Sequence, residues 1–283
     1  MFETVLVTTL MIFNTFFKKA KSKTNIELKY DPIFNSEVIR LLNMDRFKIG
    51  TSDILGRPFK FHDGPSFLVT YKEIFIDGIY EFIPSGTANK ILDCGSNMGL
   101  SVVYFALKYP NHQIIAFEPE KAIFDILTEN VKSFELKNVE LLQKAAWIKN
   151  ENLEFFSDGG MGGRVNNQYK NQIPTIIEAV PLLDYLKEDV DFLKMDIEGA
   201  EVEVLKYCGK GLKKAKNIFF EYHNDVSKNQ TLHELLALVS EYGFNYYLKE
   251  SAQKNKPFVE DLLVCEKFDM ATNVFCYAKR SIV

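Results

Sequence analysis

The chain has 283 residues, 47% of them hydrophobic and 25% charged, which is enough apolar material for a full core and excludes a disordered or fibrous protein. That length suits one large domain with an appendage, or at most two domains. A formal net charge of −4 argues against a nucleic-acid partner, which would need a basic face to neutralise phosphates.

At the N-terminus, "VLVTTLMIFNTFF" (Val5 to Phe17) is strongly apolar and is followed by Lys18, Lys19, Lys21 and Lys23. It is shorter than the roughly 20 apolar residues of a spanning helix and is interrupted by Thr8, Thr9, Asn14 and Thr15. Glu3 stands where a signal peptide carries positive charge. Two readings stay open. The stretch is a helix packed on the protein or a partner, or it lies on a membrane surface with its lysines at the headgroups, giving residues 1–23 a peripheral membrane contact. Cys94, Cys208, Cys265 and Cys276 form no CxxC pair and no zinc-like spacing, so they read as buried hydrophobes in a reduced, cytoplasmic compartment.

Further on, "NSEVIRLLNMDRF" places Val38, Ile39 and Leu42 at helical spacing behind a Ser36 cap. "SFLVTYKEIFIDGIYEF" (Ser66 to Phe82) reads as a strand or a short helix, and periodicity does not choose. From Lys90 the rhythm is regular: strands "KILDCG", "QIIAFEP", "VELLQKAAW", "VDFLKMD" and "NIFFEYH" alternate with amphipathic helices. Thr231 and Glu234 suggest a capping box for the helix after "NIFFEYH", and Gly243 its left-handed end. "FNYYLKE" and "NVFCYAKR" read as a closing antiparallel pair. The expectation is an α/β fold, a mostly parallel seven-stranded sheet with an antiparallel C-terminal hairpin and helices on both faces. In such sheets the ligand sits beyond the carboxyl ends of the strands.

The residues just after the strands therefore carry the argument. Asp93 closes the first regular strand, and Gly95, Ser96, Asn97 and Gly99 turn the chain into a helix N-terminus. Gly95 and Gly99 allow positive φ and close backbone approach, and Asn97 tolerates a left-handed conformation. The turn departs from GxGxxG, and a carboxylate at Asp93 would repel a diphosphate but pair with an ammonium group. Glu118, 25 residues after Asp93, ends the next strand and is placed to take both ribose hydroxyls, with Pro119 directly behind it. Together these features describe a nucleoside with a cationic amino-acid tail, which is S-adenosylmethionine.

Two stretches, "ILDCGSNMGLS" and "VDFLKMDIEGAEVEVL" (Val190 to Leu205), resemble the FkbM-type S-adenosylmethionine-dependent methyltransferases. The resemblance runs over roughly residues 61–283 and leaves out 1–60, read as an N-terminal helical segment that caps the acceptor site or touches a membrane. It implies a Rossmann-like class I methyltransferase fold and O-methylation of a small molecule, sugar, glycan or glycolipid. Carried over by position, Asp93, Gly95, Asn97 and Gly99 line the methionine end, Glu118 the ribose, and Lys144 and Ala145 the adenine.

In-line methyl transfer needs alignment and, for a hydroxyl acceptor, a group to take its proton. Asp196 and Glu198, after the fourth strand, and His223, ending the fifth, are the catalytic candidates; Lys194 is a potential salt-bridge partner of Asp196. Asp196, Glu221 and His223 could also make an oxygen-and-nitrogen metal site, but nothing in the spacing demands one, and no metal is expected. "SDGGMGGRVNNQ" (Ser157 to Gln168) reads equally as a lid with Arg164 meeting an anion or as a plain hairpin. Two rivals remain: a cofactor-binding interaction module without catalysis, and a nicotinamide-dependent oxidoreductase, which the missing GxGxxG disfavours.

Overall fold

The computed structural model describes residues 32–157, 163–165, 173–252, 254, 256–260 and 268–278. The apolar N-terminal stretch, the tip of the glycine-rich segment, the Arg164 side chain and Cys265 lie outside the described residues. The chain falls into two compact units divided between Leu41 and Leu42. The sequence drew its boundary at residue 60. The helix α1 (Pro32–Leu42) begins with a proline, whose fixed φ suits a first turn. Ser36 therefore sits inside the helix and does not cap it. Glu37 and Arg40 form an ion pair along its surface at 2.6 Å.

The second unit opens with an antiparallel hairpin, β1 (Gly50–Ser52) and β2 (Phe59–Phe61). Phe59 and Phe61 are fully buried and stack on Phe67 at 5.3 and 5.1 Å. Phe67 belongs to α2 (Gly64–Tyr71), which settles the undecided stretch as helix. Asp63 caps it by accepting from the Ser66 N–H at 3.0 Å. Residues Lys72–Ile76 continue it as a wider π turn, a form that often marks functional sites.

The regular part runs β3 (Lys90–Cys94), α3 (Leu100–Lys108), β4 (Gln113–Phe117), α4 (Lys121–Ser133), β5 (Val139–Leu142) and β6 (Ala145–Trp147). It continues through β7 (Glu151–Ser157), β8 (Gly163–Val165), β9 (Thr175–Pro181), β10 (Val190–Met195) and α5 (Glu201–Cys208). It ends with β11 (Ala215–Asp225), α6 (Leu232–Glu241), β12 (Phe244–Glu250) and β13 (Phe268–Ala278). The main sheet has seven strands in the order β12-β13-β11-β10-β3-β4-β5, and β13 alone runs antiparallel to its neighbours. This is the α/β arrangement expected from the sequence, a mostly parallel seven-stranded sheet closed by an antiparallel C-terminal pair. Its central strands are buried along nearly their whole length, which is why they read as continuous apolar runs.

Three local readings need correction. "VELLQKAAW" is two strands: β5 stays in the main sheet, while β6 joins a second sheet, β6-β9-β7-β8. In that sheet β7 and β9, which the sequence left unassigned, pair antiparallel, as do β7 and β8, while β6 lies parallel to β9. The capping box is not made. Thr231 precedes α6 without a side-chain cap, its N–H donates to the Tyr222 hydroxyl at 2.8 Å, and Glu234 is taken by Lys206. Gly243 does adopt the left-handed conformation, at φ 90°. Cys94, Cys208 and Cys276 are buried thiols, with burial pushing the latter two up to about 12. No helix among the described residues is long and apolar enough to cross a membrane.

Candidate active site

The carboxyl ends of β3, β4, β10 and β11 open onto one cavity. The turn after β3 is its floor. Gly95 has φ 80°, and a Cβ there would lie 1.8 Å from the Asp196 carbonyl oxygen, so the chain tolerates no side chain at this point. The N–H groups of Gly95 and Ser96 both donate to the Phe117 carbonyl at 3.0 Å, which ties the turn to β4. Asn97 is left-handed at φ 48°; its Oδ1 accepts from the Met98 N–H at 2.7 Å and lies 3.1 Å from His62 Nε2.

Asp93 does not reach the cavity. It is fully buried, and the β3–β10 register sets it opposite Lys194, whose Nζ lies 3.2 Å from Asp93 Oδ1. Ser101 donates to Asp93 Oδ2 at 2.5 Å. Lys194 also donates to the Gly95 carbonyl at 2.6 Å. Burial works against its charge, but Asp93 and Asp196 outweigh burial and raise its pKa. The lysine expected to pair with Asp196 thus pairs with Asp93. Asp93 fixes the turn through Lys194 and does not line the cavity where a ligand's ammonium group would sit.

Glu118 does line the cavity. Its Oε2 accepts from the Asn97 N–H at 3.0 Å and its Oε1 from the Glu120 N–H at 2.9 Å. Each oxygen keeps one acceptor direction free, which matches the two hydroxyls of a ribose. Burial pushes this carboxyl up to about 7. Around it Pro119, Ile123, Ala145, Trp147 and Phe155 make a largely apolar wall suited to a flat base. Lys144, expected beside Ala145 at the adenine, turns away to an ion pair with Glu178 at 3.1 Å. Gly99 is also outside the lining and serves the helix entry at φ 92°, against Leu127.

At the far end Asp196 and Glu198 follow β10, and Glu221 lies on β11. Glu198 holds φ 56°, unusual for a residue with a side chain. Glu201 stabilises this turn by accepting from the Ile197 N–H at 3.0 Å and the Gly199 N–H at 3.0 Å. His223, behind the cavity wall and 7% exposed, sets Nδ1 3.3 Å from Glu201 Oε1 and Nε2 3.9 Å from both Glu198 Oε2 and Glu221 Oε2. Burial raises the pKa of Glu198 and of Glu221, with Asp196 adding to both. Burial alone would lower that of His223, but Glu198 and Glu201 raise it well above the ordinary value. The structure therefore gathers Gly95, Ser96, Asn97, Glu118, Pro119, Ala145, Asp196 and Glu198 at one cavity and leaves Asp93, Gly99, Lys144 and His223 outside its wall.

The family model for the methyltransferase FkbM domain matches residues 93–246, more than half of the chain. The chain belongs to that family. Curated relatives include Methyltransferase 1 of Beauveria bassiana, 27% identical over 161 residues, and Methyltransferase sdnD of Sordaria araneosa, 28% identical over 172. Each alignment covers 48% of this chain and just under two thirds of the relative, 65% and 66%. Among solved structures, precorrin-6y C5,15-methyltransferase from Geobacter metallireducens matches with a TM-score of 0.43 at 14% identity, covering 84% of this chain and 98% of that one. Membership in the FkbM family brings S-adenosylmethionine as the cofactor, and Glu118 with the apolar wall fits its nucleoside.

Sequence reading missed several residues that line the cavity. Glu73 and Tyr80 come from the π turn and the loop after it, and Asn273 from β13. Trp147, the chain's one tryptophan, ends β6. Glu73 and Tyr80 sat inside "YKEIFIDGIYEF", and nothing in its periodicity pointed to the cavity. Asn273 was reachable only through pairing, since it faces Glu221 across β11 and β13.

Proposed function

We propose that the protein transfers a methyl group from S-adenosylmethionine to a hydroxyl oxygen of a small molecule, sugar or glycan. The observation that carries this reading is the sharing of one cavity by Glu118 and the Gly95 turn with Asp196, Glu198 and Glu221. When bound, the cofactor supplies an electrophilic methyl on a sulfonium. The protein's part would be alignment and proton removal: Glu118 would hold the nucleoside end, and Asp196 would accept the proton leaving the acceptor oxygen as the new O–C bond replaces the methyl–sulfur bond.

The cavity's charge narrows the acceptor class. Among the described residues, Glu73, Glu118, Glu120, Asp196, Glu198 and Glu221 line it, and Lys194 is the sole lining ammonium group. Such a site attracts a cationic cofactor and repels phosphorylated or carboxylated acceptors. Neutral hydroxylated acceptors fit best. Calorimetry with S-adenosylmethionine, S-adenosylhomocysteine and NAD tests the cofactor, and a labelled-methyl screen of neutral glycans and polyols tests the acceptor. Tight NAD binding with none to S-adenosylhomocysteine refutes the reading.

A further inference from the structure

One residue lining the cavity is held in place from outside the stretch that matches the family. Asn97 is left-handed at φ 48°, and its backbone N–H donates to Glu118 Oε2. Its side chain is fixed as well. The Met98 N–H donates to Asn97 Oδ1 at 2.7 Å, which settles which end of the amide is the oxygen. His62 Nε2 lies 3.1 Å from that same oxygen. An amide oxygen only accepts, so the contact is a hydrogen bond with the proton on Nε2.

These two donors specify one orientation of the amide. Turned over, it would set Nδ2 against the Met98 N–H and the His62 Nε2–H, donor facing donor, at the cost of both bonds. In the orientation adopted, Nδ2 hydrogen-bonds to nothing among the described residues, and Asn97 lines the cavity. A free amide donor beside the turn after β3 complements a carboxylate, and the methionine end of S-adenosylmethionine carries one.

His62 is itself rigidly placed. It directly follows β2, is 4% exposed, and stands between Phe61 and Asp63, both fully buried. Asp63 accepts from Arg46 Nε, the Phe47 N–H and the Ser66 N–H at 3.0, 2.8 and 3.0 Å. On α4, the Asn130 amide accepts from the Lys60 N–H at 2.7 Å and donates to the Lys60 and Met98 carbonyls, each at 2.8 Å. The β1–β2 hairpin and the residue after it are thus tied to the cofactor turn twice, through Asn130 and through His62. His62 precedes residue 93, where the family match begins, so this brace is no part of the matched pattern.

We propose that His62 is a positioning residue for the cofactor: through Nε2–H it sets the Asn97 amide so that Nδ2 meets the carboxylate of the methionine end. The proposal rests on S-adenosylmethionine as the cofactor and is independent of the acceptor.

The test is calorimetry of the full chain with S-adenosylhomocysteine, the demethylated cofactor. His62→Leu should weaken binding about tenfold, through loss of a buried hydrogen bond and of the contact it orients. His62→Gln, whose Nε2 is an amide donor on a side chain of similar reach, should stay within about threefold of wild type. Asn97→Ala should weaken binding by a factor similar to His62→Leu. Adding His62→Leu to Asn97→Ala should then cost about twofold at most, because both act through one amide. His62→Asn, polar but too short to reach Asn97 Oδ1, makes the same comparison if thermal unfolding shows the leucine variant to be unfolded. Wild-type affinity in the folded leucine or asparagine variant, a loss in His62→Gln as large as in that variant, or an additive loss in the double variant overturns the proposal. Failure of the wild-type chain to bind S-adenosylhomocysteine overturns the cofactor reading and this assignment together, whereas the variant comparisons overturn this assignment alone.

Discussion

Gly95→Ala is the sharpest probe of the packing beneath the cofactor. Alanine at φ 80° costs about 1–2 kcal/mol in backbone strain. Its Cβ would sit 1.8 Å from the Asp196 carbonyl oxygen, well inside contact distance, so the β3 and β10 turns must separate. Forced displacement of packed structure adds about 1–3 kcal/mol, for a total near 2–5 kcal/mol. For a unit of this size, each kcal/mol moves Tm by about 2–4 °C, so thermal unfolding should shift down by roughly 4 to 20 °C. The same separation moves Asp196 and the turn apart, so calorimetry should show weaker S-adenosylhomocysteine binding even where the variant is folded. A variant with Tm within about 1 °C of wild type and unchanged affinity would refute the close-approach argument.

Three further outcomes follow from the buried charges. Lys194→Met leaves the Asp93 carboxylate buried without its cation and should destabilise by about 3–5 kcal/mol, while adding Asp93→Asn should recover much of the loss; an additive double-mutant cycle in urea refutes the pairing. Glu118 keeps its proton up to about pH 7 when folded but only to about 4.5 when unfolded, so its contribution is full below about pH 4.5 and fades as pH rises through 7, worth at most about 3 kcal/mol. Glu118→Gln should flatten that part of the stability–pH profile of the cofactor-free protein and weaken cofactor binding; an unchanged profile counts against the assignment. Asp196→Asn should retain S-adenosylhomocysteine binding within a few-fold and lose methyl transfer, and full turnover in that variant removes Asp196 from the chemistry.

Much of the fold was legible because its signals are local. β3, β4, β10 and β11 are short apolar runs ending in Asp93, Glu118, Asp196 and the Glu221–His223 pair, and the strand-end rule located the cavity from those ends. The second sheet escaped because β7 and β9 are half-buried: Leu153 and Phe155, or Ile177 and Ala179, alternate with exposed residues beside a glycine-rich stretch that drew the eye. The period-two pattern was there to be counted. Asp93 was misplaced for a different reason. Whether a strand-end acid faces a ligand or a lysine depends on register, and the Lys194–Asp93 alignment belongs to two strands a hundred residues apart. Glu234 went astray in the same way, since a lysine on another helix captured the side chain that the local pattern assigned to a cap.

The join between the β3 and β10 turns has a consequence for anyone recombining this chain with its relatives. Lys194 grips Asp93 and the Gly95 carbonyl, and Gly95 leaves room only for the backbone of Asp196. The two signature segments are thus a single mechanical part that the gene happens to encode in two places. A chimera with a crossover between them would inherit one half of a lock, and hybrid libraries should keep or exchange residues 93–99 and 194–201 together.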